Sequence, residues 1–135
     1  MAFQFSVGTR NAALDAIETT IGASGVTLEI RTGAVPATTA TADSGTVLAT
    51  ISLPADWLTA ASGGSKAIAG GPWTDASADA AGTAGHFRVK ASATTHIQGT
   101  ITATGGGGDM TLDNVSIASG QQISITSFTL TAGGA

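Results

Sequence analysis

The chain has 135 residues, of which only 10% are charged, and a formal net charge of −4. Its five Lys and Arg are scattered and form no basic stripe that could neutralise phosphates, which argues against a nucleic-acid partner. The absence of cysteine removes a disulfide framework, a thiolate metal site and thiol chemistry together.

The first segment alternates Phe3, Phe5 and Val7 with Gln4 and Ser6, a short strand pattern. At Gly8-Thr9 the period changes. Thr9 is placed to cap a helix in which Leu14, Ile17 and Ile21 recur at steps of three and four, and Gly22 is a natural stop. The sequence contains one convincing helix, and it lies here. No basic start followed by a continuous apolar run opens the chain, and no stretch of eighteen apolar residues occurs, so the chain is expected to be soluble and unprocessed, without a membrane partner.

From Val26 onward period two dominates. Leu28 and Ile30 face one way and Thr27, Glu29 and Arg31 the other; Val47, Ala49, Ile51 and Leu53 repeat the pattern. Gly85 to Thr102 reads as a hairpin, with Phe87, Val89 and Ala91 on one face of its first strand and Ile97, Gly99 and Ile101 on one face of its second. Placing Val89 opposite Ile97 keeps both apolar sets on one side and predicts a three-residue loop, Ser92-Ala93-Thr94, with His96 facing Lys90 and His86 facing Thr100. In the last segment Ile123 and Ile125 have one parity and Phe128 and Leu130 the other. That switch predicts a bulge or bend near Thr126-Ser127 and a strand shared between two sheets. Two long connections, Thr32 to Gly45 and Pro54 to Ala84, are candidate contact surfaces, and Gly105 to Gly108 reads as a flexible link. One helix among many short strands predicts a mainly β fold, an antiparallel β-sandwich or jelly roll with a short N-terminal helix, spanning 1–135 as a single domain.

Within the apolar fraction 26 residues are alanine, and Leu, Ile, Val and Phe number only 27. So thin a core favours stabilisation by a partner or by further copies, because small domains bury too little apolar area to offset chain entropy easily. The strand faces offer mostly Thr, Ser and Gln, which lowers the desolvation cost of close packing.

Catalytic and metal chemistry find no support. His86 and His96 do not converge, and no third ligand is placed near either ring. No G-x-S-x-G elbow is present, and Gly63-Gly64-Ser65-Lys66 lacks the spacing of a phosphate loop and reads as a plain loop. Asp75-Ala76-Ser77-Ala78-Asp79 lacks the glycine and glutamate of an EF-hand, and Asn114-Val115-Ser116 matches a glycosylation triplet only by composition. No catalytic residue, metal or cofactor is expected, and the chain is expected not to be an enzyme. Trp57 and Trp73 sit in Gly- and Ser-rich surroundings, where they serve either as core anchors or at a subunit interface. With Phe3 and Phe5 they make the candidate interface set; the Phe3–Val7 segment is expected to dock on a neighbouring subunit or on its own sheet edge.

Several of these segments, in order, resemble a family of small tailed-bacteriophage virion structural proteins. The likeness rests on Arg10-Asn11-Ala12-Ala13-Leu14-Asp15-Ala16, then Leu28-Glu29-Ile30-Arg31-Thr32-Gly33 with Pro36, then Asp43-Ser44-Gly45-Thr46-Val47-Leu48-Ala49-Thr50. It continues through Ala81-Gly82-Thr83-Ala84-Gly85-His86-Phe87-Arg88-Val89 and ends in Ser124-Ile125-Thr126-Ser127-Phe128-Thr129. The ordered set carries the likeness rather than any single piece, and the stretch from Trp57 to Trp73 contributes nothing to it. The resemblance implies a place in the virion, assembled in the bacterial host cytoplasm, with no catalytic residues to transfer. It points first to a capsid decoration or minor capsid protein that binds the major capsid protein or other virion proteins, often as a dimer or trimer. A tail or baseplate component, or a host-glycan-binding adhesin using Trp57 and Trp73, are the alternatives.

Overall fold

Ser6, rather than Thr9, starts the helix. In the computed structural model, which describes residues 3–135, its hydroxyl accepts the N–H of Thr9 at 3.2 Å, and α1 runs Val7–Ile21. The early alternation therefore does not form a strand. Val7 is already helical, and Phe3 and Phe5 lie in an irregular segment tied by one backbone bond, Phe5 N to Gly134 O at 2.6 Å. Three alternating residues without a ladder partner are too few to compete with a capped helix. Gly22 ends α1 with φ 117°, its N–H donating to Glu18 O.

Ten strands follow: β1 (Val26–Thr32), β2 (Val47–Ser52), β3 (Ser65–Ala67), β4 (Trp73–Asp75), β5 (Gly82–Ala91), β6 (Thr94–Ala103), β7 (Met110–Leu112), β8 (Ser116–Ile117), β9 (Ile123–Ile125) and β10 (Thr129–Thr131). The fold is mainly β. Its principal sheet has the order β2-β1-β5-β6-β7, with β8 pairing the start of β5, and two small ladders, β3–β10 and β4–β9, complete the strand set.

Val89 pairs with Ile97 and His86 with Thr100, as the apolar parity requires. The turn is shorter than predicted. Ala91 pairs with Thr94 and Lys90 with Thr95, so only Ser92-Ala93 lie outside the ladder, with Ser92 at φ 55°. A bulge at His96 absorbs the extra residue and restores the parity that a two-residue turn would otherwise break. His96 therefore does not face Lys90.

Within the glycine run, Gly106 and Gly108 lie close against β6 while Gly105 and Gly107 face open space. β7 lies parallel to β6, with Ile101 opposite Met110, although only six residues join the strands. Parallel neighbours ordinarily need about a dozen connecting residues. The reversal is possible because the chain folds back tightly against Thr102: a Cβ at Gly106 would sit 2.7 Å from the Thr102 side chain, and at Gly108 2.9 Å from its backbone nitrogen. The Asp109 carboxylate then accepts Thr100 N at 2.9 Å and Thr100 Oγ1 at 3.0 Å, closing the loop on β6.

The last segment bends where its parity changes. β9 pairs with β4 and β10 with β3, so residues on either side of Thr126-Ser127 serve different ladders. These ladders and α1 cover the apolar face of the sheet, where Leu28, Ile30, Ile51, Phe87 and Val89 meet Ile21, Trp57, Trp73, Ile125 and Phe128 in one cluster. Trp57 and Trp73 are 0% and 1% exposed, with ring centroids 6.1 Å apart, and Phe128 joins Trp73 to Phe87. Both indoles satisfy their N–H groups inside the chain, Trp57 on Gly22 O and Trp73 on Ala69 O. They supply the bulk that a core poor in large aliphatic residues lacks. Replacing Trp73 by alanine should therefore cost about 3–5 kcal/mol, the range for truncating a buried aromatic, read from urea unfolding followed by Trp57 fluorescence.

Candidate functional site

The opposite face of the sheet is polar yet largely buried. Glu29 and Arg31 on β1 and His86, Arg88 and Lys90 on β5 share it, because Glu29 pairs with Arg88, Arg31 with His86 and Thr27 with Lys90. Arg31, His86, Arg88 and Lys90 are all buried. The segment 33–46 lies across them as a strap with no fully buried residue of its own, so polar contacts do most to hold it down.

Arg88 is the centre of those contacts. Its Nη1 donates to Thr41 O at 2.9 Å, Asp43 Oδ1 at 2.8 Å and Thr95 Oγ1 at 3.3 Å; its Nη2 donates to Thr38 O at 3.2 Å and Gln98 Oε1 at 2.9 Å. Gln98 passes the connection on, donating to Pro36 O at 2.7 Å. Asp43 also receives Arg31 Nη2 at 3.2 Å and the Lys90 ammonium, while Glu29 binds Arg31 at 2.7 Å and Lys90 at 3.2 Å. Three cations thus share two carboxylates, an arrangement in which each charge has partners on two elements. At the start of the strap His86 Nδ1 meets Gly33 O at 3.0 Å, and Gly85 lies beneath Gly33 so closely that a Cβ would overlap the Gly33 carbonyl. Only glycine at 85 permits that approach.

A second polar cluster docks α1. Lys66, 3% exposed, binds Asp15 at 2.8 Å and Glu18 at 3.4 Å. Asn11, Asp15 and Glu18 also accept the backbone N–H groups of Gly64, Ala61 and Leu58. The Lys66 hydrogen bond, with that of Ala61, holds the Asp15 carboxyl below its ordinary range. Gly63-Gly64 form a turn leading into β3, and Lys66 is a strand residue facing the helix rather than part of a loop.

Asp75 and Asp79 guard an edge. Asp75 Oδ2 accepts Thr50 N at 3.1 Å, Asp79 Oδ2 accepts the Thr50 hydroxyl at 3.1 Å, and Asp79 N donates to Leu48 O at 2.7 Å, so the outer side of β2 is occupied. Asn114 turns its own chain, accepting Ser116 N at 2.9 Å. Among the described residues no three His, Asp or Glu side chains group so as to hold a metal, and no helix is long and apolar enough to cross a membrane.

Of the candidate interface residues, Trp57 and Trp73 come together in the core and offer a partner no surface on this chain. Phe3 and Phe5 remain outside, 86% and 52% exposed. Every Lys and Arg is buried or half-buried, so the exterior formed by the described residues shows carboxylates, hydroxyls and small side chains but no exposed Lys or Arg. The sequence places Glu29, Arg31 and Lys90 at the polar parity of their strands without showing what covers them. The available signal was that three of the five cations share that parity on two long strands, and that the long loop after the first of them carries Asp43. Comparison with protein-family models, with curated proteins and with solved structures found no match to this chain.

Lys90, opposed by partial burial and aided by Arg88, holds the Asp43 carboxyl below its ordinary value near 3.9. A carboxylate lowered in the folded state stabilises it fully above the ordinary value and loses that contribution as pH falls through the lowered one. Strap amides 38–46 should therefore lose hydrogen-exchange protection on acidification below about pH 4, and Asp43→Asn should remove that pH dependence while loosening the strap at neutral pH. Arg88→Lys should also fail to hold it, because an ammonium cannot reproduce the planar fork that meets five acceptors; about 3 kcal/mol of stability should be lost in urea titration.

Proposed function

We propose that this chain is a structural protein of a tailed-bacteriophage virion, a capsid decoration or minor capsid protein that binds the assembled shell in several copies and acts by contact rather than catalysis. The ordered likeness of its segments to that family carries the reading. Physical support comes from where those segments meet. Arg31-Thr32-Gly33, Pro36, Asp43-Ser44 and Gly85-His86-Phe87-Arg88 build the strap clamp, and Asn11, Leu14 and Asp15 lie on the docked helix. The residues that carry the resemblance thus tie down a long loop, which suits a protein whose product is a fixed contact face.

An exterior without exposed Lys or Arg among the described residues suits a protein partner and repels phosphate backbones. Phe3 and Phe5, left uncovered in a chain short of large apolar residues, suit a protein that completes its burial by association. The adhesin alternative loses the residues on which it rested, since buried tryptophans cannot stack on a glycan.

The test is binding of the purified chain to particles that lack it, followed by a cryo-electron reconstruction. Saturable, regularly spaced density over the shell is the expected outcome. Absence of binding would overturn the reading, and density confined to the tail would replace it with a tail or baseplate role.

A further inference from the structure

The two edges of the main sheet are treated differently. β2 is capped by Asp75 and Asp79. On β6 only Ile101–Ala103 pair with β7, and Asp109 occupies Thr100; the outer backbone of Thr94–Gly99 has no hydrogen-bond partner among the described residues. Beside this open stretch lies an apolar groove of about 330 Å³ between α1 and β6, lined by Ala13, Ala16, Ile17, Ile21 and Ile97, with His96 at its rim. An unpaired strand edge next to an apolar groove is a receptor for an extended segment with alternate apolar residues.

The chain itself carries such a segment. Phe3 and Phe5 share one parity and, with Val7, are the exposed large apolar residues among those described. Neither the arm Phe3-Gln4-Phe5-Ser6 nor the groove bears an acidic, Lys or Arg side chain, so no like-charge contact opposes their meeting. In its own copy the arm is tied beside the first half of α1, where Phe5 lies against Arg10, Ala13, Ala132 and Gly133 and its N–H is held by Gly134 O. The Thr20 end of the groove lies about 20 Å from Val7 along α1, beyond the roughly 13 Å that four extended residues reach. We propose that the Phe3–Phe5 arm of a second copy of this chain docks along the open edge of β6, its two rings seated in the groove against α1.

The area is that of a weak, transient contact. A phenylalanine buries roughly 150–250 Å², and with Phe3 86% and Phe5 52% exposed two reciprocal arms and the grooves they cover would remove roughly 700 Å² from water, below the ~1,000 Å² of a stable specific interface, so the dimer should form only at high concentration. The proposal deepens the self-association part of the function proposed above and can fail separately from shell binding.

The full chain is examined by sedimentation across a range of concentrations. Phe3→Ser with Phe5→Ser on the arm, and Ala16→Arg in the groove, should each raise the dissociation constant at least about tenfold while leaving urea unfolding unchanged, since all three positions are exposed. Because the chain has no cysteine, a Phe3→Cys chain mixed with an Ala16→Cys chain should form a disulfide-linked heterodimer on oxidation. A chain that stays monomeric at high concentration, or associates equally well in both variants, overturns the proposal; if that chain still coats shells, only this inference falls.

Discussion

The contact between Arg88 and the strap is the constraint on which the polar half of the molecule depends. Segment 33–46 contributes no fully buried side chain, only the half-buried Val35 and Pro36, so polar contacts do most to hold it to the sheet. One guanidinium, almost entirely buried, supplies donors to two strap carbonyls, to Asp43 and to Gln98, and Gln98 in turn holds Pro36. Burying a cation is costly unless its donors are met and its charge is balanced. Here both terminal nitrogens of the guanidinium meet five acceptors and Asp43 balances its charge, while Nε alone is buried without a partner; the cost of leaving these contacts binds loop to sheet. Without the strap, Arg31, Arg88 and Lys90 would face water beside Glu29 alone.

The same device recurs across the molecule. Lys66 with Asp15 and Glu18 joins helix to β3, Asp75 and Asp79 finish the edge of β2, and Asp109 locks the return loop onto β6. In a chain with few large aliphatic residues, charged side chains are spent on tertiary joints instead of surface solvation. The apolar half relies on Trp57, Trp73, Phe87 and Phe128, whose area substitutes for the missing Leu and Ile. Together these choices leave, among the described residues, an exterior of low charge on which Phe3, Phe5 and Val7 are the exposed large apolar side chains.

Legibility followed the range of the physics involved. The strands β1, β2, β5 and β6, the pairing of Val89 with Ile97, and the break at Thr126-Ser127 could be read because alternation and parity are local and admit few solutions. The helix was read, but its start was shifted, since Ser6 and Thr9 are both competent caps and only the bond between them shows which leads. The hairpin turn escaped because a bulge at His96 compensates for a shorter loop, and parity cannot distinguish that pair of changes from a longer loop without a bulge.

What the sequence by itself determined was a mainly β chain with one helix and the apolar face of each long strand, consequences of periodicity and composition; that Trp57 and Trp73 lie in the core and not at an interface was decided by the tertiary structure. Tertiary structure alone decided what the polar parity faces. Whether Arg31, Arg88 and Lys90 meet water or carboxylates depends on where a fourteen-residue strap returns, and that depends on contacts between residues dozens of positions apart, such as Arg88 with Thr38 and Asp43. A buried charge and a solvated one look alike along a strand; only the element laid over them separates the two.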